Sequence, residues 1–119
     1  MNDTRFSNMV TRLIEETARG RMKWQLYEAP RSITVGTEDI VGLYFEGRFK
    51  DTKFSIYEIR YKHFSDEEVY YWNSTVALSI VDNNDRVLWT QSNYLEINEL
   101  YEDVRRKASG VDKLLDYFR

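Results

Sequence analysis

The chain carries one histidine, His63, in the stretch Y-K-H-F-S-D-E-E, so any histidine-dependent chemistry has to use it. Ser65 and Asp66 follow closely. A nucleophile, a base and an orienting carboxylate act only when their side chains converge within hydrogen-bonding reach. Neighbours this near in sequence, at the end of a strand, rarely do so, and the stretch reads as a solvated turn. A cation site made from His63 with Asp66, Glu67 and Glu68 would need ligands from elsewhere, and the spacing matches no zinc cage. Carboxylate pairs are the other route to acid–base work. Glu46 and Glu58 are candidates on adjacent strands. With Arg48 and Arg60 beside them they read instead as alternating charges across a hairpin.

Anion chemistry has two candidate sources. Gly42 and Gly47 do not form a G-x-G-x-x-G or Walker pattern and sit in a strand reading, so no phosphate cradle is expected. The stretch G-L-Y-F-E-G glances at an RNA-binding sheet motif, but the element order is wrong for that fold and the leading basic residue is missing. The stronger source is the cluster Arg12, Arg19, Arg21 and Lys23 beside Trp24. Cations next to an aromatic ring suit a nucleotide or another anion. The competing reading is local: Arg19, Arg21 and Lys23 complement the C-terminal end of a helix dipole, and Trp24 is core.

Composition narrows the classes further. There is no cysteine, which removes disulfides, thiolate metal sites and cysteine nucleophiles, and fits a reducing cytosol. The polar N-terminus opens a helix and is not expected to be a signal peptide. No apolar run approaches the roughly 20 residues of a membrane span. With 17 basic and 20 acidic residues, a net charge of −3 makes no case for nucleic acid and is too mild for an acidic mimic of it. One proline and five glycines argue against disorder, and 119 residues suffice for one domain, residues 1–119, with its own core.

The elements that must position these groups follow from periodicity. Phe6, Met9, Val10, Leu13, Ile14 and Thr17 keep the i, i+3, i+4, i+7 spacing of an amphipathic helix. Asn2, Asp3 or Thr4 supplies its N-cap. Gly20 is its C′ residue, where a left-handed conformation is cheap only for glycine. Met22, Trp24 and Leu26 then alternate as a strand until Ala29-Pro30, so that Trp24 folds back over the helix it has just left. Residues 31–38 form a short edge strand or a loop. From Asp39 the alternation is β, with turns at 50–53, 65–68 and 82–85 that make an antiparallel meander. A closing helix begins at an Asn93–Glu96 capping box and aligns Ile97, Leu100, Tyr101, Val104, Ala108, Val111, Leu115 and Phe118. Glu102–Arg106 and Asp103–Lys107 pair along it. Ser109-Gly110 is expected to bend this helix rather than split it.

Thr17, Gly20 and Trp24, spaced T-x-x-G-x-x-x-W, are followed by a meander ending L-S-I-V-D-N-N-D-R-V-L. The final helix reads N-E-L-Y-E-D-V-R-R-K-A-S-G-V-D, with Leu100, Tyr101, Arg105, Gly110, Val111 and Asp112. The combination resembles a group of small uncharacterised proteins of bacteria and phages. The resemblance implies the α-β-α outline and no site.

The expected architecture is therefore α+β: a meander of four to five strands with an N-terminal and a C-terminal helix packed on one face. Alternation puts Val41, Leu43, Phe45, Tyr57, Ile59, Tyr61, Trp72, Val76, Leu78 and Ile80 on the helix-covered face. The other face then carries Tyr44, Phe54, Ile56, Tyr71, Thr75 and Ala77 among Glu46, Glu58, Arg60 and Lys62, subject to any β-bulge that swaps phases. Aromatics ringed by charge are what a protein interface looks like; scattered exposed apolar residues are the plain alternative. The functional expectation is a cytoplasmic, non-catalytic interaction module without a cofactor or metal. It acts through Tyr44, Phe54, Ile56, Tyr71 and Thr75 on a protein partner or as a homodimer. The alternative is a small-molecule or nucleotide binder using Arg12, Arg19, Arg21 and Lys23.

Overall fold

The computed structural model describes residues 4–118. In chain order the elements are α1 (Thr4–Ala18), β1 (Trp24–Tyr27), α2 (Arg31–Thr34), β2 (Ile40–Phe49), β3 (Thr52–Phe64), β4 (Tyr70–Val81), β5 (Val87–Ser92), α3 (Leu95–Ser109) and α4 (Val111–Asp116). The five strands form one antiparallel sheet in sequential order. Val10 and Leu13 of α1 and Ile97, Leu100, Tyr101 and Val104 of α3 are buried in one cluster with Phe45, Phe54, Ile56, Val76 and Leu78 of the sheet. The chain is an α+β meander with α1 and α3 on one face, as the periodicity predicts.

The first junction sets this arrangement. Gly20 has φ +74°. The Gly20 amide donates to the Thr17 carbonyl and the Arg21 amide to the Glu16 carbonyl, the two bonds of a Schellman turn. The turn brings Trp24, the first residue of β1, back onto α1. There the Trp24 indole Nε1 donates 2.9 Å to the buried Thr17 Oγ1. The other side of the ring lies against Gly47, its cross-strand neighbour on β2. A Cβ on Gly47 would stand 2.8 Å from Trp24 Cδ2. The N-cap candidates Asn2 and Asp3 lie outside the described residues, and Thr4 is already helical.

Four local expectations are corrected. Residues 31–34 form one helical turn, not a strand or open loop: β1 has ended at Tyr27, and Pro30, locked at φ −64°, is the N-cap of the turn. The final helix is split, not bent: Gly110 takes φ 72° and ends α3 before α4 begins. The Asn93–Glu96 box is not formed, since Asn93 has φ 66° and Tyr94 is the N-cap without a side-chain bond. Along α3 the ion pairs are Arg105–Glu102 and Arg106–Asp103, at i,i+3.

The face assignment of β3 is reversed. Phe54 pairs with Ile80 and Ile56 with Leu78, so Phe54 and Ile56 point to the helices, at 3% and 0% exposure. Tyr57 and Ile59 point the other way, opposite Ala77 and Thr75. The strand is apolar in both phases, so alternation cannot choose between them. On β2 the register shifts between Val41 and Tyr44, placing Gly42 and Leu43 opposite Glu58 as a bulge. Val41 and Tyr44 therefore share the face away from the helices despite their unlike parity. That face is not bare: Ala29, Ile33, Val41 and Ile59 pack on the buried Tyr44, Tyr57 and Ala77 as a second, smaller core. The Ser32 hydroxyl donates 2.6 Å to the Asp85 carbonyl and anchors the crossing segment.

Gly47→Ala is expected to lower stability by about 1–3 kcal/mol, because the new methyl overpacks against Trp24 and backbone rather than filling space. Urea unfolding followed by tryptophan fluorescence measures it; an unchanged midpoint would mean that the ring does not rest on Gly47.

Candidate functional site

Strand lengths create the most distinctive surface. β3 and β4 span 13 and 12 residues. Their neighbours are shorter: β2 joins β3 only as far as Arg60, and β5 joins β4 only as far as Ala77. The pairs from Tyr61↔Asn73 to Phe64↔Tyr70 therefore form a two-stranded arm beyond the sheet. At about 3.4 Å per residue, four residues of strand project roughly 14 Å before the turn. The longest molecular axis is 51 Å against 30 Å for the shortest. The radius of gyration is 15.7 Å, whereas a compact chain of this length has about 13.5 Å.

The arm is built from aromatic rings. On the face continuous with the helix side, Phe64 packs on Tyr70 at 5.5 Å and Tyr70 meets Trp72 edge-on at 6.3 Å. The Lys62 ammonium sits 4.6 Å from the Tyr70 ring centre and 5.7 Å from that of Trp72. It also pairs with Glu38 at 3.5 Å. On the opposite face His63 stacks against Tyr71 at 4.9 Å. A hairpin with no third strand is marginal in water, and cross-strand ring pairs each contribute roughly 0.2–1 kcal/mol to hold it. Yet Phe64, Tyr71, Tyr70 and Trp72 remain 55%, 52%, 45% and 39% exposed. The turn beyond them carries Asp66, Glu67 and Glu68.

Of the interface residues expected from sequence, only Tyr71 lies on this arm. Thr75 is half-buried at its base, on the same face as Tyr71. Tyr44, Phe54 and Ile56 are corrected: each is at most 3% exposed and none can meet a partner in the folded chain. Tyr44 lies under the segment from Ala29 to Ile33, its hydroxyl donating 3.1 Å to Glu46 Oε2, and burial pushes its phenol well above the usual tyrosine range. Phe64, Tyr70 and Trp72 are not among the contact residues that the sequence pattern singles out. Their signal is the length of two consecutive strands relative to both flanking ones, which becomes readable only once the strand ends are placed.

The cation cluster is divided. Glu16, only 6% exposed, receives Arg12 Nε at 2.9 Å and the Arg21 guanidinium through both Nε and Nη2. Hydrogen bonding from Arg21, then from Arg12, holds the Glu16 carboxyl below the usual glutamate range against the opposing effect of burial. Lys23 and Arg21 border a groove of about 530 Å³ on β1 and β2, together with Arg48 and Lys53. Lys53 already pairs with Asp85 at 3.1 Å and Glu46 at 3.9 Å, and Arg48 donates 3.2 Å to Asn83. Arg19 does not line that groove.

The remaining chemical candidates do not converge. Ser65 Oγ donates to the Val69 carbonyl and Asp66 Oδ1 accepts from the Glu67 amide, so both are tied into the turn beyond His63. Glu46 and Glu58 lie on opposite faces of the sheet, opposite Ser55 and Val76. Among the described residues no group of three or more His, Cys, Asp or Glu side chains is placed to hold a metal ion, and no helix is long and apolar enough to cross a membrane. Comparison with protein-family models, curated proteins and solved structures returns no match for the chain.

Because its folded-state pKa is depressed, Glu16 contributes stability that is present above the ordinary glutamate value near pH 4.3 and is lost as pH falls through the lower folded value. Glu16→Gln is expected to flatten the fall in melting temperature between about pH 5 and pH 3. It should also lower stability at pH 7, where both arginines lose their counter-charge. An acid profile identical to wild type would contradict the assignment.

Proposed function

We propose that the protein is a small cytosolic, non-catalytic interaction module whose contact surface is the aromatic arm, residues 61–73. The observation that carries this reading is the exposure of four large rings on a projection that neither core covers. Phe64, Tyr70 and Trp72 adjoin on one face of the arm, with Tyr71 on the other, and large contiguous apolar patches on a globular chain mark interaction surfaces. Tyr and Trp are the side chains that dominate such contacts, because they bury much area and lose few rotamers. The Lys62 ammonium over the rings and the acidic turn surround the patch with charge, the polar rim of a protein interface. The acidic turn also disfavours a phosphate backbone as ligand. The cysteine-free composition fits a reducing compartment.

The test places a photo-crosslinking phenylalanine analogue at position 71 and, as a control, at position 99 on the outer surface of α3, in cells producing the protein. The expected result is a discrete adduct from 71 and none from 99, lost in the Phe64→Ser/Trp72→Ser variant at unchanged protein level. Equal adducts from both positions would contradict it. So would a nucleotide-induced rise in melting temperature that Lys23→Ala abolishes, which would assign function to the β1–β2 groove instead.

A further inference from the structure

A second apolar surface lies between α3 and the β1–β2 side of the sheet, and no residue of the arm lines it. A groove of about 580 Å³ is floored by Leu26, Leu43 and Phe45 of β1 and β2 and walled by α3, with Arg105 and Arg106 at its rim. Leu26 and Leu43 are 58% and 44% exposed. Helix α4 starts at one side of this groove and touches it only through Val111. From Val111 an apolar stripe runs through Leu114 and Leu115 to Phe118, at i, i+3, i+4 and i+7. These last three are 58%, 60% and 76% exposed. A six-residue helix is too short to be held by its own backbone bonds. Gly110, at φ 72°, separates α4 from α3, and of the stripe only Val111 lines the groove.

Each chain thus carries an open apolar groove and, beside it, an exposed apolar stripe on α4. We propose that the chain forms a two-fold dimer in which α4 of each copy lies in the groove of the other. A surface patch that contains both the ridge and its receptor is self-complementary, which is what an isologous interface requires. The exposed parts of Leu26, Leu43, Leu114, Leu115, Tyr117 and Phe118 set an upper limit of roughly 700 Å² per chain on the area these side chains bring to such a contact, against the ~800 Å² that one side of a stable interface buries. The arm lies outside this contact, so self-association and partner binding are separable.

Light scattering over a tenfold concentration range tests this with a ridge variant, Leu115→Glu/Phe118→Glu, and a groove variant, Leu43→Glu. Wild type is expected to reach twice the monomer mass at high concentration, and each variant alone to stay monomeric, with a melting temperature equal to that of wild type at the dilution where wild type is itself monomeric. An equimolar mixture of the two variants should regain dimer, since the mixed pair keeps one intact ridge–groove contact. A chain truncated after Gly110 should be a folded monomer, which preserves the test if Leu43→Glu does not fold. A wild type that is monomeric throughout overturns the proposal. So does a dimer that survives both variants, or one broken instead by Phe64→Ser/Trp72→Ser. A monomer that binds an unrelated amphipathic helical peptide in the groove would assign the groove to a foreign helix and overturn it equally.

Discussion

The structure depends on where Trp24 sits. Its indole N–H is satisfied by Thr17 on α1, and its ring lies across Gly47 on β2. One side chain therefore joins the first helix to the second strand. Neither contact exists unless the chain reverses at Gly20, because Thr17 and Trp24 come together only across that turn. The same reversal brings Arg21 onto Glu16, so a carboxylate that would be costly to bury unpaired is held between two guanidinium groups. With β1 placed by this junction, the remaining strands add in sequence order, through the segment that carries α2 and then, from β2 onward, through short antiparallel connections. The turn from β2 to β3 is the tightest of these. Lys50 and Asp51 both take positive φ, as the natural twist of a two-residue hairpin demands.

What the sequence reveals of this fold tracks how unambiguous each pattern is. The apolar face of α1 has one period and one stop, and both are legible. The meander is legible because three polar turns separate runs of alternation. β3 is not, because Phe54 and Ile56 on one phase compete with Tyr57 and Ile59 on the other, and the sheet buries both sides where α2 crosses it. A single helical turn such as Arg31–Thr34 has too few residues to show a period, so the lid over Tyr44 leaves almost no trace. The bulge at Gly42–Leu43 adds a change of parity within one strand. Together these account for why Tyr44, Phe54 and Ile56 read as an exposed face and are core. The cation cluster was legible as composition, but its meaning depends on Glu16, which reaches Arg21 only through the turn.

The arm and the C-terminal helix share one physical character. Both are short elements with exposed apolar side chains outside the two cores, the arm at the end of two long strands and α4 after the left-handed Gly110 that ends α3. The two cores account for the rings of Phe45, Phe54, Tyr57, Tyr44 and Tyr101. They leave Phe64, Tyr70, Tyr71 and Trp72 without a structural duty beyond stiffening the hairpin that carries them. A surface that the fold does not need and does not hide is the basis on which the arm is read as the contact element.

The most direct test of that claim is to remove the arm and measure what the fold loses. Residues 62–72 are replaced by Asn-Gly, which closes a two-residue turn across the Tyr61↔Asn73 pair. If the arm serves contact, the shortened chain keeps its cooperative thermal transition, with a melting temperature within about 5 °C of wild type, on the order of 1 kcal/mol. A fall of more than about 10 °C, or a broadened transition, would mean that the arm's aromatic rings hold the domain together, and the reading of the arm as an interaction surface would lose its foundation.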